Sequence, residues 1–480
     1  MRGWALALVR GHGGPVFFGL QMAFQASALA HAAPLSMSEV LDSVRARYPL
    51  VEAARQDFQA ARGEVVSSRG AFDLQLKSRA VWDIESYYPS QTLDAVLEQP
   101  TPIWGLSFFG GFRYGRGSFP VYDGKLQTLN PGELRGGVVV PLLRDGPTDS
   151  RRVRIQRAEI GVSIAEAGLD QQFVESVRTA RQRYWEWVAA GAKLKIAKKL
   201  LEIAETRDSQ LSVQLKKGDA SVFDRNDNLR GVLQRRSQLA SAERQLQRAE
   251  LELSLFVRDS KGQPVIVDRS RLPDGFPAVS TTDPSDEAAI QQKVELAVRQ
   301  RPDLRRIQGQ REQNDRELSL ARNQFLPRLD FSLGVSRDLG NGSPSLSQTE
   351  TEAAVMLEFP FPLRSARGRK DVAVATDLRL SAQQGLLADR IVTEIRDAES
   401  ALRQSRERLQ LANEELELAL VLEKGERARF AHGDSNLIFV QLREQTTADA
   451  ANRKVDADLD YQVAQAALDA AQGLPSLKNP

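Results

Sequence analysis

Residues 391–419 read IVTEIRDAESALRQSRERLQLANEELELA, and the spacing of their apolar members decides the fold. Ile391, Ile395, Ala398, Leu402, Leu409, Ala412, Leu416 and Ala419 follow alternating steps of four and three, with Ser405 filling the one gap. A helix turns once in ~3.6 residues, so this alternation holds the whole series on a single seam, as in a coiled coil. Phe173, Val177, Ala180, Tyr184 and Trp187 do the same earlier in the chain, continued by Leu194 and Leu201.

These helices are very long. The pattern around Trp187 predicts a helix from about 148 to 216, roughly 100 Å at ~1.5 Å per residue. Gly218 and Gly433 then interrupt the two long helices, and Asp219 and Asp434 follow them, as a helix stop and a new N-cap require. The helix returning from the first break, about 222 to 257, covers only half the distance. Helices at 36–69 and 290–323 have the length to supply the other half, so two stacked half-length helices would pack beside one full-length helix.

The chain repeats itself once. Residues 39–76 align without a gap on 292–329, setting Tyr48-Pro49 over Arg301-Pro302, Glu64 over Glu317, Arg69 over Arg322 and Phe72 over Phe325. Lys217-Gly218-Asp219 meets His432-Gly433-Asp434 further on. The organisation expected is a signal peptide at 1–32, a first repeat at 33–257, an equatorial linker at 258–289, a second repeat at 290–473 and a tail at 474–480.

Between the helices lie strands with one greasy and one wet face. From Phe72 to Glu85 the even positions are Phe, Leu, Leu, Ser, Ala, Trp and Ile, and the odd ones are Asp, Gln, Lys, Arg, Val, Asp and Glu. Leu329, Phe331, Leu333 and Val335 alternate with Arg328, Asp330, Ser332 and Gly334, and Ala353, Val355, Leu357 and Phe359 form a returning strand. Such alternation suits a barrel with lipid outside and water inside. Strands are expected at 72–84, about 133–141, 328–337 and 352–360. Trp104, Leu106, Phe108, Phe112 and Tyr114 alternate too. A third crossing in one repeat would leave the next helix outside the cell, so 103–114, within an extra segment at about 85–131, is assigned to an elaborated extracellular region or to an extension paired within it.

Composition excludes other classes. With 65 basic and 63 acidic residues the charge is +2, and removing Arg2 and Arg10 with the first 32 residues leaves a neutral chain with no bulk attraction to nucleic acid. The absence of cysteine rules out disulfides, thiol catalysis and a lipoprotein cleavage site. Arg2 and Arg10 precede an apolar stretch ending in Ala28-Leu29-Ala30-His31-Ala32, the layout of a cleavable secretory signal. Of three histidines, His12 and His31 fall in that signal, and His432 alone builds neither a metal site nor a triad. Asp224, Asn226, Asp227 and Asn228 hint at a calcium loop, but Leu229 and Arg235 stand where glycine and glutamate are needed. Gly110 to Gly117 lacks the lysine and serine of a phosphate loop. Lys193, Lys195, Lys198 and Lys199 read as a solvated helix face. No catalytic, cofactor or metal site is expected.

In arrangement and local sequence the chain resembles the TolC-like outer membrane efflux protein family, over nearly all of residues 36–473. Ala297-Val298-Arg299-Gln300-Arg301-Pro302-Asp303-Leu304 is similar to the family's helix start, and Phe325-Leu326-Pro327-Arg328-Leu329 to its helix-to-strand crossing. Gly136 to Gly146, with Pro141-Leu142-Leu143, and the Pro360 region resemble its strand-to-helix crossing. The resemblance implies an α+β membrane protein: a homotrimer giving four strands per chain to a 12-stranded outer-membrane barrel, continued by a periplasmic tunnel of coiled-coil hairpins. It implies passive export, with a periplasmic adaptor and an inner-membrane transporter as partners.

In the family the tips at Gly218, Asp219, Gly433 and Asp434 receive the adaptor and close the tunnel. Many members carry acidic residues six and nine positions after the second glycine; here those positions are Phe439 and Leu442, and the same spacing after Gly218 gives Asp224 and Asp227. The gate expected is either apolar or acidic on the neighbouring hairpin. The alternative function is a periplasmic coiled-coil adaptor or scaffold, which would need a compact β-rich domain at the hairpin base. A secreted enzyme on a helical frame finds no supporting constellation.

Overall fold

The computed structural model describes residues 33–473 apart from 121, 123–125, 219–220 and 280–285. The expected signal peptide, the C-terminal tail and Asp219 lie outside the described residues.

Two 68-residue helices run the length of the molecule, α3 (Ser150–Lys217) and α7 (Arg364–Ala431). Their seams are buried as the spacing predicts: Val177, Ala180, Tyr184, Trp187, Leu194 and Leu201 on α3, and Ile391, Ile395, Ala398, Ser405, Leu409, Ala412 and Ala419 on α7. Half-length helices stack along them. On α3 lie α2 (Pro49–Arg69) and, beyond α1 (Met37–Arg47), α4 (Val222–Ser254); on α7 lie α6 (Pro302–Asn323), α5 (Glu287–Gln300) and α8 (Leu437–Ala471). Contacts of α3 with α6 and α8 join the two repeats side by side into one wall.

The helices expected at 36–69 and 290–323 are each two. Tyr48 (φ −72°, ψ 126°) and Arg301 (φ −60°, ψ 129°) are extended, and Pro49 and Pro302 open the next helix. A proline pushes its predecessor out of the helical region while fitting the first turn itself. The breaks fall at aligned positions of the two repeats. At the first, Leu35, Val40, Val44, Tyr184, Trp187, Leu253 and Phe256 form the largest core, with the Tyr184 hydroxyl donating to the Leu35 carbonyl at 2.8 Å.

The sheet corrects the strand expectation. Among the described residues six antiparallel strands, not four, lie in the order β1 (Gln75–Asp83), β2 (Ser90–Pro100), β3 (Ser107–Gly117), β4 (Gly132–Pro141), β5 (Arg328–Leu339) and β6 (Thr349–Glu358). Residues 103–114 are therefore no extracellular elaboration. Most of them form β3, between β2 and β4, and the parity difficulty disappears because β2 supplies the missing crossing. The β2–β3 turn sits at the helical end, where the Trp104 indole donates to the Pro141 carbonyl at 3.1 Å.

One face is mainly apolar on all six strands. Along the paired register Ala80, Leu93 and Tyr114 line up, as do Phe108, Val138, Leu333 and Ala353. The other face carries cross-strand ion pairs: Lys77 with Glu98, Arg113 with Glu133 at 2.6 Å and Arg135 with Asp94 at 2.6 Å. No described helix is long and apolar enough to cross a membrane. Phe109, on the wet face, lies over Gly137. A Cβ there would stand 2.3 Å from the Leu333 carbonyl oxygen and 2.7 Å from the Phe109 ring, whereas at Gly136 the nearest atom is 3.4 Å away. Gly137→Ala should cost about 1–3 kcal/mol through overpacking, and Gly136→Ala less than half of that; urea unfolding of the detergent-solubilised protein, followed by circular dichroism, measures both.

Candidate functional site

The hairpin tips lie about 100 Å of helix away from the sheet. At the first, Gly218 adopts φ +84°, a left-handed cap that side chains other than glycine rarely take, and its N–H reaches the carbonyls of Gln214 and Leu215. Ser221 then starts α4 with a reciprocal capping box: the Asp224 N–H donates to Ser221 Oγ at 3.1 Å, and the Asp224 carboxylate accepts from the Ser221 N–H and hydroxyl at 3.3 and 2.7 Å. Asp227 pairs with Arg230 at 2.9 Å. Both candidate gate carboxylates are thus engaged within their own helix.

The second tip is built alike. Gly433 repeats φ +84°, the Asp434 N–H donates to the Arg429 carbonyl at 2.9 Å, and Asn436 caps α8 by accepting from the Phe439 N–H at 3.2 Å. Ser435 donates to Glu426 beside the turn. Phe439 and Leu442, one turn apart on α8, are more than half exposed, and Ile438 is still more so. Val222 and Phe223 are exposed on the first tip. The structure therefore adds Val222, Phe223 and Ile438 to an apolar crown of which the sequence reading had named only Phe439 and Leu442.

Above the tips lies a charged cluster that the sequence reading missed. Glu444 of α8 is almost wholly buried and meets one arginine from each of the other three helices: Arg207 of α3, Arg235 of α4 at 3.4 Å and Arg427 of α7 at 3.0 Å. Glu423 supports Arg427 at 2.7 Å. Burial pushes the Arg235 guanidinium below its ordinary range, while Glu444 pulls it back up. Two buried polar side chains bridge the helices of each hairpin nearby: Asn228 donates to the Ala204 carbonyl and Thr447 to that of Ala419. No single helix shows this arrangement in its sequence, because Glu444 and its three arginines come from four different helices.

Of the basic cluster on α3, Lys193, Lys195 and Lys199 pair with Asp456, Asp274 and Glu202, as a solvated face would. Among the described residues no group of His, Cys, Asp and Glu could hold a metal ion.

A 100 Å helical wall of paired hairpins, surmounted by an antiparallel sheet, is the architecture that solved structures share with this chain. The fold is that of the TolC-like channels, and residues 294–474 match the family model described as outer membrane efflux protein. Solved structures with this fold include the outer-membrane channel OprN (16% identity, TM-score 0.65, covering 91% of this chain and 89% of that one). VceC of Vibrio cholerae shares 15% identity (TM-score 0.64, 91% and 96% covered), and MtrE of Neisseria gonorrhoeae, in an open state, 14% (TM-score 0.63, 92% and 89%). At such identities the likeness is one of fold. No curated protein matches the chain.

Glu444→Ala should destabilise the hairpins by about 3–5 kcal/mol, because it leaves the buried guanidinium groups of Arg207 and Arg235 without their carboxylate partner. Removing Glu415, half exposed in its pair with Arg453, should leave stability close to that of the unsubstituted protein. Thermal unfolding followed by circular dichroism, with trypsin cleavage at Lys216 and Lys217 as a local readout, separates the two.

Proposed function

We propose that this protein is a passive export channel of a Gram-negative outer membrane, working as a homotrimer within a tripartite efflux or type I secretion system. One observation carries the reading: the sheet presents a mainly apolar face, a charged opposite face and two open edges, a combination that suits a barrel closed by association in lipid. A compact β-rich domain at the hairpin base, which the adaptor or scaffold alternative needs, has no counterpart among the described residues. The apolar stripe of Leu411, Leu418 and Leu422 on α7 is exposed, opposite the buried seam, and supports a lateral neighbour of the same kind.

In this reading residues 1–32 direct export and are removed, and the chain reaches the outer membrane without a lipid anchor. Gly218, Asp219, Gly433 and Asp434 receive a periplasmic adaptor, which links the channel to an inner-membrane transporter that supplies the energy. The tunnel closes at an apolar ring. Phe439 and Leu442 face solvent on α8, whereas Asp224 and Asp227 are committed to a helix cap and to Arg230. A ring of apolar side chains excludes water without needing a cation and with little pH dependence.

Conductance in planar bilayers tests the gate. Phe439→Ala with Leu442→Ala should raise the resting conductance several-fold, while Asp224→Ala with Asp227→Ala should leave it near wild type and lower helix stability by about 1 kcal/mol. A conductance that responds only to the aspartate pair contradicts the apolar gate. Orientation of the sheet is tested separately: arginine at Leu333 should cost about 2–4 kcal/mol of assembled channel near the bilayer midplane, and arginine at Ser332 much less.

A further inference from the structure

We infer that the assembled barrel has 18 strands, closed by pairing β6 of each chain with β1 of the next, so that the exit is half as wide again as four strands per chain would make it. The inference rests on the trimeric reading above, since six strands from each of three chains give 18.

The inserted strands belong to the wall. Arg135 on β4 is paired in register with Gly111 on β3, where no side chain stands in its way, and it reaches across β3 to both carboxylate oxygens of Asp94 on β2, each at 2.6 Å. That bridge holds β2 on the same surface as β4, and Arg113 to Glu133 fastens β3 to β4. At the helical end Trp104 is bonded to the end of β4. The hairpin is therefore no flap folded back over the outside.

The register also has the slope of a barrel. From Gln75, at the helical end of β1, the paired positions run through Glu98, Phe109, Gly137 and Gly334 to Glu352, which stands six residues above Glu358, the helical end of β6. A climb of six residues at ~3.3 Å each, over five strand spacings of ~4.8 Å, is a tilt of about 40°, within the range of membrane barrels.

The two free edges fit one another. β1 runs away from the helical wall and β6 towards it, so β6 of one chain meets β1 of the next antiparallel, as every other pair in the sheet does. On the wet face β1 carries Lys77 and Arg79, and β6 carries Glu350, Glu352 and Glu358. Opposite charges on facing strands favour that seam. With this tilt and strand spacing, 18 strands enclose a backbone diameter of about 36 Å and 12 strands about 24 Å.

The chain has no cysteine, so engineered pairs report cleanly. Arg79→Cys on β1 would be combined with Glu352→Cys, Ala354→Cys or Met356→Cys on β6 in the full-length protein in outer membranes, and oxidised with copper phenanthroline. At least one combination should give covalent dimers and trimers on denaturing gels. If β3 were the true edge and β1–β2 lay outside a 12-stranded barrel, Arg113→Cys with the same partners would cross-link instead. That result overturns the inference but leaves the trimer standing. Cross-links from neither set, with no oligomer recovered, overturn the inference together with the trimer. Imaging the unsubstituted channel in nanodiscs guards against misfolded variants: a barrel ring near 36 Å supports 18 strands, and one near 24 Å contradicts them.

Discussion

The outer edges of β1 and β6 carry backbone N–H and C=O groups with no strand beyond them among the described residues, and in hydrocarbon each such group left unpaired costs several kcal/mol. Six strands are too few to curl into a barrel of their own, so only association can remove the edges. The rest of the molecule is arranged around that requirement. Alternation gives the sheet an apolar skin, ion pairs tie its opposite face, and the helical wall sets β4 and β5 in place through the crossings at Pro141 and Pro327. The tall wall would equally leave its apolar stripe on α7 exposed without neighbours.

Charge is used differently at the two ends. On the wet face of the sheet the pairs join neighbouring strands, and Arg135 to Asp94 spans a strand whose glycine leaves the path open. Between the hairpins a single buried glutamate holds three arginines, one from each neighbouring helix. Buried pairs of this kind add little net stability over an apolar core, but they fix which helices meet and in what register. Below them the tips end in caps made from their own residues, and the apolar side chains of both tips are left free to meet other surfaces.

Much of this was legible in the sequence. The seams of α3 and α7 follow from periodicity, the tips from Gly218 and Gly433, and β1, β5 and β6 from alternation. The prolines at 49 and 302 stood at aligned positions, yet each was read as part of one continuous helix, because the amphipathic pattern runs on past the break while proline acts only on the backbone beside it. β2 escaped because Ser90–Pro100 alternates weakly: Val96 falls on its wet face, Gln91 and Gln99 on its greasy one, and it ends in proline. Without β2, β3 had no partner and was sent outside. Glu444 was invisible for a different reason, since its meaning lies in four helices at once.

The central claim is that this chain completes its sheet only as an oligomer in the outer membrane. The most direct measurement is the location and mass of the native assembly, by membrane fractionation followed by mass photometry of the detergent extract. The account predicts a heat-sensitive particle of three chains in the outer-membrane fraction. A soluble periplasmic monomer would contradict it.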